Sequence, residues 1–197
     1  MPVLLSLFLF AGCALAQNPL VLKAARLFDG KAGALVSPGL VVVVAGKITG
    51  VGTTAQIPRD AQVIDLGDAT LLPGFLDAHT HLTLPYSDDW KGATFDGLRK
   101  PVSEQTLDAA ENARKTLMAG FTTVRDVGSH DYIDVGLRNA IRDGKIEGPR
   151  MLVAVHAIGS TGGHCDDDSG FRAGIFASVP CQILPSKEFY DYEDKYC

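Results

Sequence analysis

A chain of 197 residues has room for one ordinary domain, or for a small domain and part of a larger one. Its 46% hydrophobic and 21% charged residues describe a globular protein and exclude a disordered one. A formal net charge of -5, with no basic run along the chain, argues against a nucleic-acid partner.

The stretch Met1–Ala16 contains Leu4-Leu5-Ser6-Leu7-Phe8-Leu9-Phe10 and no charged side chain. It ends in Ala14-Leu15-Ala16, the small-x-small pattern of a signal-peptidase site. Its apolar core is too short for a stable transmembrane anchor. Residues 1–16 are therefore expected to be a secretory signal cleaved before Gln17, which makes the protein periplasmic or extracellular. Acylation at Cys13 is the less favoured alternative, because Phe10 suits a lipoprotein site poorly. Cleavage would leave Cys165, Cys181 and Cys197, an odd number with no zinc-knuckle spacing, so no thiol is assigned a catalytic role.

Next, Leu20–Gly30 reads as a strand closed by an Asp29-Gly30 turn. Leu40–Val44 is a β-branched run, Ala45-Gly46 a tight connection, and Lys47–Gly52 the returning arm of a hairpin. Gln62–Leu66 is a further short strand. Residues 17–70 are expected to form a small β-sandwich segment, and they hold no cluster of His, Cys or acidic residues suited to chemistry.

From Leu71 the rhythm alternates between strand and helix. Leu71–Leu82 is an apolar run punctuated by Pro73-Gly74 and closed by His79-Thr80-His81. Leu107, Ala110, Ala113, Leu117 and Met118 mark a helical stripe, with Ser103 as N-cap and Gly120 as the stop. Phe121–Gly128 is a buried strand interrupted by the charged pair Arg125-Asp126. Ile133, Leu137 and Ile141 mark a second helix ending near Gly144, and Met151–Ile158 a third strand. This alternation predicts βαβ units and a parallel sheet, either closed into a barrel or open. In both, function collects at the C-terminal ends of the strands. All five histidines fall at or just past that edge: His79 and His81, then His130, His156 and His164.

Side chains two apart on a strand share a face, so His79 and His81 would present two imidazoles to one side. Neutral imidazole is a common ligand for zinc and similar divalent metals. In its setting, Leu72-Pro73-Gly74-Phe75-Leu76-Asp77-Ala78-His79-Thr80-His81 resembles the N-terminal part of the amidohydrolase superfamily of metal-dependent hydrolases. The likeness lies near the imidazolonepropionase-like and Xaa-Pro dipeptidase-like members. Three further stretches carry it: Ala25–Gly30, Gly120–Asp126, and Gly148-Pro149-Arg150 with Gly162-Gly163-His164.

The resemblance implies an α/β chain, a TIM-type (β/α)₈ barrel preceded by the β-sandwich segment; the barrel is incomplete here, its first units spanning residues 71–175, and the Tyr- and charge-rich tail over 176–197 departs from the family. It implies one or two divalent ions, usually zinc, with His79 and His81 as ligands. The substrate would be a small molecule or dipeptide, cleaved at an amide or cyclic-amide C–N bond. A metal of this kind acidifies water toward a pKa of ~7 and polarises the scissile carbonyl. His164 would contact substrate. Asp126 would either steady a metal ligand from behind or pair with Arg125 inside the sheet. His130 and His156 read as ordinary polar residues rather than substitute ligands, and Asp166-Asp167-Asp168 as a solvated acidic loop rather than a calcium site. The family's later ligands are a lysine, two histidines and an aspartate that acts as general base, and none has a counterpart after Gly170; Lys187 reads as a surface lysine. A TIM barrel takes about 250 residues, so the chain is expected to be a fragment, the product of a truncated gene, or a product whose last stretch is unrelated to the family, with an incomplete active site and inactive by itself. The alternative is a non-catalytic remnant or binding module of the same fold.

Overall fold

A computed structural model describes residues 18–84, 87–160, 163 and 165. The stretch 1–16 with Cys13, and His164, Asp166, Asp167, Asp168, Cys181, Lys187, Cys197 and the 176–197 tail, lie outside the described residues. The chain forms two compact units that divide between Pro73 and Gly74.

Among the described residues, the first unit contains seven short strands: β1 (Leu20–Ala24), β2 (Arg26–Phe28), β3 (Leu35–Val36), β4 (Gly39–Val44), β5 (Lys47–Val51), β6 (Gln62–Asp65) and β7 (Thr70–Leu71). They make two sheets, ordered β5-β4-β1-β6 and β3-β2-β7. The single strand expected over Leu20–Gly30 is thus two strands. It breaks at Ala25, so that β1 pairs with β4 and β6 while β2 pairs with β3 and β7. The β4–β5 hairpin forms as its sequence predicts. Ala45 and Gly46 both adopt positive φ (49° and 73°), the two-residue turn whose twist matches the flanking strands. Val21 and Val42, direct partners across β1 and β4, form a small core with Leu40. Lys23 and Asp65 are partners across β1 and β6, and their side chains meet at 2.9 Å.

The second unit is mixed α/β. Its elements are β8 (Phe75–Thr80), α1 (Trp90–Arg99), α2 (Val102–Met118), β9 (Phe121–Asp126), α3 (Ile133–Arg142) and β10 (Arg150–Val153). The described strands are parallel, in the order β10-β9-β8, as strand–helix alternation predicts. Helix α1 was not legible as a periodic stripe; Gly92 and Gly97 dilute it and Phe95 and Leu98 are exposed. It starts because the Asp89 carboxylate accepts the Gly92 N–H at 3.0 Å.

Helix α2 begins at Val102 with Pro101 in the capping position, not at a Ser103 cap. Proline tolerates a helix start because the N–H it lacks would have no partner there. The buried face of α2 is Ala109 and Ala113, whereas Leu107 and Met118 are each 72% exposed. Small alanines let α2 lie close to its neighbours: a Cβ built on Gly148 would stand 3.2 Å from that of Ala113. Around these alanines the core gathers Leu82, Val124, Ile133, Leu137 and Met151. Strand β10 stops at Val153 rather than Ile158, because Val155 turns the backbone to φ 71°, where an extended chain cannot continue.

Candidate active site

Strands β8 and β9 do not pair residue for residue. Asp77 lies opposite Val124 and Thr80 opposite Asp126, so three steps on β8 match two on β9. That is a β-bulge, which places Ala78 and His79 together across from Arg125. An extra residue of this kind bends a strand end and re-aims its side chains. His81 is the first residue past the strand. The bulge perturbs simple alternation, yet the two rings are neighbours, with centroids 5.3 Å apart and planes at 76°.

His81 is held further. Its Nδ1 lies 3.1 Å from the carbonyl oxygen of Gly128. A carbonyl only accepts, so Nδ1 carries the proton and Nε2 keeps the lone pair. Gly128 permits this approach because it lacks a side chain. A Cβ there would stand 3.0 Å from the Ala157 Cβ and 3.2 Å from the His81 Cε1. On the strand side, the His79 backbone N–H donates to Asp77 Oδ1 at 3.0 Å.

Asp126 is fully buried at the end of β9. Its Oδ2 accepts the Leu82 N–H at 2.7 Å and its Oδ1 the Gly128 N–H at 3.4 Å. Its neighbour Arg125 is exposed, as alternation along a strand requires, so the two side chains point to opposite faces. Burial pushes the Asp126 carboxyl above its ordinary range. The Leu82 and Gly128 N–H groups draw it back down, the nearby Asp134 carboxylate raises it, and His81 lowers it.

The other described histidines are engaged elsewhere. His130 Nδ1 meets Asp131 Oδ2 at 2.9 Å, and the His156 ring sits edge-on to Tyr132 at 5.9 Å. Among the described residues, no group of three or more His, Cys, Asp or Glu is placed to hold a metal ion. The donor chemistry of the His79–His81 pair fits a divalent ion of borderline softness. Two imidazoles lie side by side, and one has its tautomer set by a backbone carbonyl. Sequence reasoning missed Gly128 and Asp134. Asp134 is buried in the first turn of α3, and the available signal was an acidic residue beside the apolar position Ile133 at a helix start.

The chain is similar to several known proteins. The chain is 40% identical over 125 residues to an allantoinase of Streptomyces avermitilis, covering 59% of this chain and 27% of that protein. It is 29% identical over 136 residues to an imidazolonepropionase of Idiomarina loihiensis, covering 58% of this chain and 33% of that protein. The crystal structure of a Xaa-Pro dipeptidase with methionine bound in its active site matches with a TM-score of 0.65 and 31% identity, over 79% of this chain and 38% of that one. The chain thus spans roughly a quarter to two fifths of the length of these relatives. The amidohydrolase family hydrolyses C–N bonds and generally uses divalent metal ions. Residues 70–178 match that family, from the end of the first unit through every βαβ element of the second. Since this match takes in more than half of the residues, the chain belongs to the amidohydrolase family.

Proposed function

We propose that this chain contributes to a metal-dependent hydrolase that cleaves the C–N bond of an amide, a cyclic amide or a dipeptide, with His79 and His81 as two ligands of a divalent ion, zinc by preference. The observation that carries the reading is the ring pair itself, 5.3 Å between centroids at the C-terminal end of a parallel strand. When bound, such an ion supplies Lewis acidity to a scissile carbonyl and to water. The chain's own residues prepare its site. The Gly128 carbonyl accepts a hydrogen bond from the His81 Nδ1–H and leaves Nε2 as the ligating atom. Asp126 steadies the same place from behind, holding the N–H of Leu82 and that of Gly128. His164, which follows β10 in the sequence and lies outside the described residues, is assigned to substrate contact.

Two donors are half of the tetrahedral set that zinc takes, so the remaining ligands and the general base come from outside the described residues. On the same reading, residues 71–175 supply the first βα units of a (β/α)₈ barrel, residues 17–70 a small β-sandwich, and residues 1–16 the signal for export. Metal analysis of the purified chain tests the ligand assignment: zinc or cobalt bound by the natural sequence should be lost in a His79→Ala/His81→Ala variant. Unchanged stoichiometry in that variant would overturn it. A second reading, a non-catalytic module, is favoured by the two-donor set among the described residues. Hydrolysis by the 197-residue chain that a chelator abolishes would defeat that second reading.

A further inference from the structure

We infer that Asp134 is a positioning residue for His81, acting through Val155 and the Gly128-Ser129 turn; the inference rests on the proposal that His81 is a metal ligand. Asp134 sits in the first turn of α3 with none of its surface exposed. A carboxylate withdrawn from water needs hydrogen bonds to replace those it lost. It has two, both from backbone: Oδ1 accepts the Val135 N–H at 2.8 Å and Oδ2 the Val155 N–H at 2.9 Å. The second bond reaches across 21 residues and ties α3 to the loop after β10.

Val155 is an improbable residue at that point. At φ 71° it occupies the left-handed region, which a β-branched side chain rarely tolerates. Strained backbone of this kind persists only when its surroundings hold it there. The hold is visible on both sides of the residue. Its N–H is taken by Asp134, and its carbonyl accepts the Ser129 N–H at 2.9 Å. Ser129 follows Gly128, whose carbonyl accepts the Nδ1 proton of His81 at 3.1 Å. The path is continuous: α3 carboxylate, loop after β10, loop after β9, imidazole. Asp126 braces the same turn from the other side. Its backbone carbonyl accepts the Ala154 N–H at 3.0 Å, and its carboxylate accepts the Gly128 N–H.

The consequence falls on the ring. The Gly128 carbonyl decides which nitrogen of His81 carries the proton. If the turn shifts, Nδ1–H loses its acceptor, the two tautomers mix, and fewer rings present a free Nε2 lone pair. Asp134 thereby sets the tautomer of an imidazole two loops away.

The experiment is Asp134→Asn in the full chain. Asparagine keeps the size and one acceptor oxygen, but turns an NH₂ group toward one of the two backbone donors. The first readout is the ¹⁵N spectrum of the His81 ring, without metal, at a pH where the imidazole is neutral. The natural chain should show the Nδ1–H form and the variant a mixture, with the rings of His130 and His156 unchanged. The second readout is zinc or cobalt affinity, which should fall about 10–100-fold, the usual effect of losing outer support for a ligand. If Asp134→Asn alone does not fold, Asp134→Asn/Val155→Gly removes the backbone strain and carries the same readouts. A His81 spectrum and affinity like those of the natural chain overturn the inference. So does mixing at every histidine, or failure of both variants to fold, since each would make Asp134 a general structural residue. Because the tautomer is read without metal, metal binding that survives His81→Ala would sink the ligand proposal while leaving this result readable.

Discussion

At Gly128 one residue combines two requirements that a side chain would set against each other. Its carbonyl must approach the His81 ring, and its Cα must pass close to Ala157. Gly128→Ala is expected to destabilise the chain by about 1–3 kcal/mol, the usual cost of overpacking, as read by urea unfolding. On the proposal that His81 is a ligand, metal affinity should fall as well, because the added methyl meets the His81 ring 3.2 Å away. Lys23 and Asp65 allow a pH test in the first unit. The Lys23 ammonium, hydrogen-bonded to Asp65, holds that carboxyl below its usual value, helped by the Gly67 N–H. A folded-state value below the unfolded one stabilises the protein above the unfolded carboxyl's pKa of about 3.9, and the gain is lost as pH falls through the folded value. Lys23→Gln should therefore lower the melting temperature slightly at neutral pH and not at all in strong acid. The effect is small because the pair is exposed, and added salt should shrink it further. The closeness of the His79 and His81 rings was legible at this scale, because it follows from two-residue spacing at a strand end. The tautomer was not, since nothing local to His81 announces that its partner is a carbonyl 47 residues away.

Elements were legible in proportion to how far their side chains, rather than their neighbours, decide what is buried. In α3, Ile133 and Leu137 are spaced four apart, and both are buried as that spacing predicts. Leu137→Ala should cost about 2–5 kcal/mol in urea unfolding, since the side chain is enclosed by the core of the second unit. In α2 the larger residues misled, because the sheet-facing stripe is made of small ones. Ala113→Leu should destabilise by about 1–3 kcal/mol, because Gly148 and Ile141 already crowd that position. Pattern reading weights leucine and methionine over alanine. Close packing against a sheet reverses that weighting, since only a small side chain lets the backbones come near. Strand β10 was overestimated for a related reason: Val155 has the composition of a strand residue and the backbone of a turn.

On the scale of the whole chain, the parallel sheet of the second unit has one face under α2 and α3 and another that carries Leu76, 74% exposed, and Leu152, 59% exposed. Their register partners, Thr123 and Arg125, flank Val124, which is buried on the helix side. Exposed apolar side chains on a sheet face promote self-association. On that ground the chain is expected to self-associate with rising concentration in light scattering, and Leu76→Ser/Leu152→Ser to reduce that association while leaving the unfolding midpoint nearly unchanged. What the sequence determined by itself is the class: parallel βαβ units, a hairpin at Ala45-Gly46, and two imidazoles at a strand end within an amidohydrolase setting. Each depends on periodicity, turn chemistry or ligand type, which are properties of a few consecutive residues. Only the tertiary structure decided that a bulge offsets His79, that Gly128 sets the His81 tautomer, and that Asp126 and Asp134 are buried behind it. Those outcomes depend on hydrogen bonds that join residues 47, 44 and 21 positions apart. Such pairings exist only once the strands and helices have packed, so no local pattern can encode them.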